Sequence, residues 1–258
     1  MALLEARGLT VSYGGLHAND WIDLDCHDGM VVGLIGPNGA GKTTFIDAIT
    51  GFTPLTRGRV TFDGHDLAGK GPDKRSLMGL TRTFQSLELF EDLSVRDNVL
   101  AAAERPRWYS LLSDVVVPRR NERRHHEQVE WALDVLQIAP LADAMPNDLS
   151  HGQRKLVSVA RALAARPKLV LLDEPAAGLD TAESKLLGAH LRDCLTQNMG
   201  LFLIDHDMGL VLNVCDYIYV LDFGRIIAQG TPSDVRANPV VIAAYLGENN
   251  AEQPEVAG

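Results

Sequence analysis

The stretch GMVVGLIGPNGAGKTTF, ending at Phe45, constrains this chain more than any other. An uninterrupted apolar run ends in a glycine-rich turn, and a helix-forming segment follows at once. Such a run suits a strand buried on both faces, as in parallel sheets covered by helices. KLVLLD (Lys168 to Asp173) and GLFLID (Gly200 to Asp205) have the same character. Helical stretches lie between and around them, at Lys42 to Thr50, Ser158 to Ala165, Thr181 to Gln197 and Met208 to Val214. The alternation predicts an α/β domain with a largely parallel sheet.

Other stretches fill in the plan. LLEARGLTVSY alternates and is expected as an edge strand, with DWIDLDC as its partner. DYIYVLDFGRIIAQG reads as two strands joined by a turn at Asp222 to Gly224. Between about Arg82 and Leu149 strand-like runs stop, and SVRDNVLAAA and ERRHHEQVEWALDVLQI take helical periodicity. This is expected as a helical insertion, at about 86–165, within the core of one domain spanning 1–247. The last residues, GENNAEQPEVAG, lack apolar content, so 248–258 is expected as a disordered tail.

At 258 residues and 46% hydrophobic composition, the chain can bury a substantial core. A net charge of −10 argues against nucleic acid as a partner, since phosphates need a basic footprint. The basic run PRRNERRHHE reads as a solvated helix start. Cys26, Cys194 and Cys215 have no metal spacing and read as free thiols. The first residues do not read as a signal peptide, and no segment approaches the roughly 18 apolar residues of a membrane helix. A soluble, cytoplasmic chain is expected, reaching a membrane only through a partner.

The glycine-rich turn carries the chemistry. Gly36-x-x-x-x-Gly41-Lys42-Thr43 is the P-loop pattern, and it follows a strand and opens a helix. Gly36, Pro37, Asn38, Gly39, Ala40 and Gly41 would turn backbone N–H groups toward phosphate oxygens, aided by the helix dipole. Lys42 would reach the β and γ phosphates of ATP, the Thr43 hydroxyl would ligate Mg²⁺, and Thr44 would face the α-phosphate. The run LVLLDEP ends a strand with two adjacent acids. Successive strand residues point to opposite sides, so Asp173 is assigned to Mg²⁺, directly or through water. Glu174 is the general base for the attacking water.

The segment NDLSHGQRK sets Ser150 beside His151, which invites comparison with a hydrolase nucleophile and its base. Such an enzyme needs an orienting acid and an oxyanion hole, and no Gly-x-Ser-x-Gly elbow occurs in the chain. With the P-loop before it and LLDEP after it, DLSHGQ instead resembles the signature sequence of the ATP-binding subunits of ABC transporters. The resemblance covers nearly the whole chain. It implies a P-loop NTPase with a RecA-like mixed or parallel sheet core, an antiparallel β subdomain and an inserted α-helical subdomain.

The resemblance further implies that two ATPase subunits meet head to tail, so that Ser150, Gly152 and Gln153 act on the partner's nucleotide. His151 replaces the usual glycine, and its imidazole is expected to point away from the nucleotide. Tyr13 matches the aromatic that stacks on adenine, and Gln85 the glutamine that meets metal and water. Asp180 matches the loop at the dimer interface, and His206 the histidine that contacts the γ-phosphate.

YGGLHAND, RTFQSLELFEDLSVRDNVL, LDEPAAGLD and NPVVIAAYLGE are similar to the branch serving branched-chain amino acid uptake. That resemblance implies membrane permease subunits, a second ATPase subunit and indirect dependence on a substrate-binding protein. Urea or amide import, lipid export and a non-transport ATPase of the same family remain as alternatives.

Overall fold

The computed structural model describes residues 2–83, 89–103, 118–195, 199–205 and 207–251, the side chains of 118–122 and 246–251 excepted. Its smaller sheet is antiparallel, in the order β2-β1-β4-β5, from β1 (Ala2–Tyr13), β2 (Leu16–His27), β4 (Arg57–Phe62) and β5 (His65–Asp66). The larger sheet runs β10-β9-β3-β8-β7-β6, from β3 (Val31–Ile35), β6 (Leu80–Arg82), β7 (Leu169–Asp173), β8 (Gly200–Ile204), β9 (Tyr217–Asp222) and β10 (Arg225–Gly230). Its pairings are parallel except the β9–β10 hairpin.

The three continuous apolar runs are β3, β7 and β8, and every residue in them is buried. Side chains alternate between faces, and the packing divides accordingly. Val32, Leu34, Leu169, Leu171, Phe202 and Ile204 join β1, β2 and the helix α1 (Lys42–Thr50) in one apolar cluster. Val31, Ile35, Val170, Leu172, Leu201 and Leu203 face the other way. That second cluster takes in α3 (Val95–Ala103), α4 (Pro118–Val135), α5 (His151–Ala164), α6 (Thr181–Cys194) and α7 (Met208–Val214). The larger sheet is therefore the middle layer, and the helical stretch expected as an insertion shares its core. Short helices α2 (Pro72–Leu77) and α8 (Pro232–Ala237), a C-terminal α9 (Pro239–Ala251) and two 3-10 turns, Ala139–Leu141 and Pro146–Asp148, complete the described elements.

Several expectations are corrected. β1 is not an edge strand: it pairs with β2 on one side and β4 on the other. RGRVTF gives little strand signal, because only Val60 and Phe62 are apolar and Gly58 is a strand breaker. What makes it a strand is the free edge of β1. α5 starts at His151 rather than Ser158, because Ser150 and Gln153 form a reciprocal capping box ahead of the apolar face. α6 is described to Cys194, with Leu195 as its cap; Thr196 and Gln197, to which the expected helix ran, lie outside the described residues. α9 continues through Ala251 into the stretch expected as a tail, since a helix once nucleated propagates through polar residues. The three cysteines are buried free thiols, and burial pushes Cys26 and Cys194 up to about 12.

Candidate functional site

β3 delivers the chain to the P-loop at the middle of the larger sheet. A Cβ on Gly36 would lie 2.0 Å from the Leu221 carbonyl oxygen, and one on Gly41 would lie 2.3 Å from that of Ala18. The loop is thus pressed against β9 on one side and β2 on the other, closer than any side chain permits. Gly224 N–H donates to the Ala40 carbonyl at 2.9 Å, and Asn19 Nδ2 to that of Gly41 at 3.1 Å. Gly39 has the opposite character: its φ is 78° and a Cβ there would meet nothing within 4 Å. One side of the loop is braced and the other is open.

α1 begins with Gly41 as N-cap and no side-chain cap, so its first N–H groups are left for an anion. Lys42 is buried, and its Nζ donates to the carbonyls of Gly36 (2.6 Å) and Pro37 (2.9 Å), which hold the ammonium over the loop. A cleft of about 380 Å³ opens here, lined by 38–44 of the loop and α1, by Leu16, His17 and Ala18 of β2, by Phe223 and Gly224, and by Glu174. Its size suits a nucleotide.

Glu174 is half-buried just past β7, with φ at 47°, a left-handed conformation. Its N–H donates to the Ile204 carbonyl of β8 at 2.7 Å. Asp173 does not line the cleft; it is 7% exposed, and its Oδ2 accepts from Arg82 Nη2 at 2.7 Å. Arg82 also pairs with Asp47 of α1. Burial pushes the Asp173 carboxyl above the ordinary range, and Arg82 opposes that. The donor set fits Mg²⁺, a hard cation that keeps waters and phosphate oxygens and takes few protein ligands. Thr43, exposed at the start of α1, and Asp173 at the end of β7 are the residues that would serve it. Among the described residues no cluster of three or more His, Cys, Asp or Glu forms a metal cage.

The family model described as ABC transporter matches residues 20–177, from β2 past the LLDEP strand. The chain belongs to the ABC transporter family. A second family model, described as branched-chain amino acid ATP-binding cassette transporter, matches residues 225–250. The chain is 38% identical over 252 residues to the high-affinity branched-chain amino acid transport ATP-binding protein BraF of Pseudomonas aeruginosa, covering 95% of this chain and 98% of that one. It is 37% identical over 252 residues to LivG of Escherichia coli, with the same coverage. Among solved structures it resembles the ADP conformation of an ATP-binding cassette of an ABC transporter at 32% identity and TM-score 0.82, covering 96% and 100% of the two chains. This cassette is an ATP-binding, ATP-hydrolysing subunit of a transporter, and its fold is the P-loop ATPase fold of the family.

The start of α5, where the signature-like stretch DLSHGQ falls, lies elsewhere. Ser150 caps α5, accepting from Gln153 N–H at 3.2 Å, while Gln153 Oε1 accepts from Ser150 N–H at 2.8 Å. Gly152 is closely approached by α6: a Cβ there would stand 2.7 Å from Glu183 Oε1, so that carboxylate would have to shift for a larger residue. His151 is exposed, and its ring lies against Gly178, 2.9 Å from where a Cβ on that glycine would be. Asp180 caps α6, its Oδ1 accepting from Ala182 N–H (2.7 Å) and Glu183 N–H (2.9 Å). None of Ser150, Gly152, Gln153 and Asp180 lines the P-loop cleft.

Gln85 and His206 lie outside the described residues. Tyr13 is exposed at the end of β1, its hydroxyl 3.5 Å from Thr53 Oγ1, and it does not line the cleft. The sequence reading missed Leu16, His17 and Phe223 as cleft residues. One signal was available for Phe223. An aromatic stands before Gly224 in a two-residue hairpin turn that ordinarily selects Asn, Asp or Gly, and in the structure the residue takes φ 43° and is 87% exposed.

Proposed function

We propose that this cassette drives an ABC importer of branched-chain or other hydrophobic amino acids. The observation that carries the reading is its near-full-length similarity to BraF and LivG together with the match at 225–250. In this reading the cassette sits on the cytoplasmic face of the membrane, held by permease subunits, and works head to tail with a second ATPase subunit. Among the described residues no helix is long and apolar enough to cross a membrane, which agrees with attachment through partners.

The residues would divide the work as follows. Backbone N–H groups of 36–41 and the start of α1 hold the triphosphate, with Lys42 on the β and γ phosphates and Thr44 on the α-phosphate side. Mg²⁺, held by Thr43, Gln85 and Asp173, supplies charge neutralisation at the phosphates when bound. Glu174 takes the proton of the attacking water, and His206 contacts the γ-phosphate. Leu16, His17 and Phe223 receive the base end of the nucleotide at the outer cleft. Ser150, Gly152, Gln153 and Asp180 complete the partner's pocket. Their position off this chain's own cleft supports that division.

Two measurements test the reading. Glu174→Gln is expected to lower kcat by about 10²–10⁴-fold while leaving ATP binding intact, as loss of a general base does. Membrane vesicles containing the assembled complex are expected to accumulate labelled leucine in an ATP-dependent manner. Accumulation of urea instead, or no ATP-dependent uptake of any amino acid, refutes the assigned cargo.

A further inference from the structure

Lys155 lies in the second turn of α5, the helix that begins Ser150-His151-Gly152-Gln153, yet it is only 7% exposed. Its Nζ donates to the backbone carbonyl of Glu174 at 3.0 Å. An ammonium is poorly tolerated in such a place unless acceptors and opposite charges receive it. Burial draws its pKa below the ordinary lysine value, and the Asp205 and Glu174 carboxylates oppose that.

Asp205 is fully buried at the end of β8. It accepts from Ala176 N–H at 3.1 Å and from Asp207 N–H at 2.9 Å. Asp205 thus ties the loop after β7 to the loop after β8, and Lys155 joins α5 to the same turn through the Glu174 carbonyl. Glu174 holds a left-handed φ of 47°, which a non-glycine residue keeps only when its surroundings fix it. Its N–H donates to Ile204 on the sheet, and its carbonyl accepts both from Lys155 Nζ on the helix and, within the turn, from Ala177 N–H at 3.2 Å. Without Lys155 the turn keeps its local bond from Ala177 N–H but loses its tie to α5, and the aim of the carboxylate is less closely fixed.

We propose that Lys155 is a positioning residue for Glu174, fixing the turn that aims the carboxylate and tying that aim to the helix presenting Ser150. The half-site this chain uses and the half-site it lends then move as one unit. The proposal rests on Glu174 being the general base.

The test is steady-state Mg-ATP hydrolysis by the full chain, with affinity read by titration of a fluorescent ATP analogue. Lys155→Met is expected to lower kcat about tenfold or more, with KM and analogue affinity within about twofold of wild type, because only transition-state positioning is lost. Lys155→Arg, which can still donate to the carbonyl, is expected to recover most of kcat. Lys155→Gln is a bond shorter and is expected to match Lys155→Met; it carries the test if the methionine variant does not fold. In a Glu174→Gln background, Lys155→Met is expected to add less than about twofold, since the two residues act as one unit. A wild-type kcat in both Lys155→Met and Lys155→Gln overturns the proposal, as does a fall in kcat and affinity together, or a full extra loss in the Glu174→Gln background. Wild-type hydrolysis by Glu174→Gln alone is a separate result, which overturns the base assignment itself.

Discussion

Arg82→Met tests whether the three-member ion cluster beneath the cleft is structural. Arg82 is the last residue of β6, and its side chain is 10% exposed. It bridges Asp47, 30% exposed, and Asp173, 8% exposed. Methionine fills much of the same volume but leaves Asp173 charged without the guanidinium. Removing one partner of a buried ion pair destabilises by about 3–5 kcal/mol. Asp47 is exposed enough to regain water, so a value near the lower end, about 3 kcal/mol, is expected at neutral pH. For a chain of this size that corresponds to a fall in Tm of about 6–12 °C.

The pH dependence gives a second reading. Asp173 already has its carboxyl raised by burial, with Arg82 opposing. Without Arg82 its folded pKa rises further above the unfolded value. The folded state then binds more protons than the unfolded one as pH falls, so the defect must shrink toward acid. Equilibrium urea unfolding of both proteins at pH 7 and pH 5 measures both effects. A loss under about 1 kcal/mol at pH 7, or a defect that grows toward pH 5, would refute the reasoning.

Two further outcomes are expected. Phe223→Ala removes an apolar ring from the cleft rim, so ATP affinity should fall by roughly threefold to tenfold with kcat nearly unchanged, the magnitude of one lost aromatic contact; an unaltered nucleotide titration assigns the base end elsewhere. His190 is 2% exposed, hydrogen-bonded to the Val135 backbone, and burial holds its pKa below 6.5. Below about pH 6.5 the unfolded state therefore binds the extra proton first, and stability must fall as pH drops through that window. Urea midpoints between pH 7.5 and 5.5 should show this fall in the wild type and a smaller one in His190→Gln, and equal slopes would remove His190 from the account.

The sequence by itself determined the middle of this molecule. β3, β7 and β8 were legible because a strand buried on both faces cannot be written without a continuous apolar run, and their packing splits by alternate residues into two clusters. The P-loop was legible for the same kind of reason: Gly36 and Gly41 leave no room for a Cβ, so the pattern is a direct imprint of close backbone approach. Strands β4 and β6 were not, since each is held by a neighbour's edge more than by its own side chains. Only the tertiary structure could bring Leu16 and Phe223 to the cleft, set Arg82 between Asp47 and Asp173, and carry Lys155 from α5 to the Glu174 carbonyl. These pairings join residues far apart along the chain, and hydrophobic periodicity reports which face a residue turns inward, never which distant residue it will meet there.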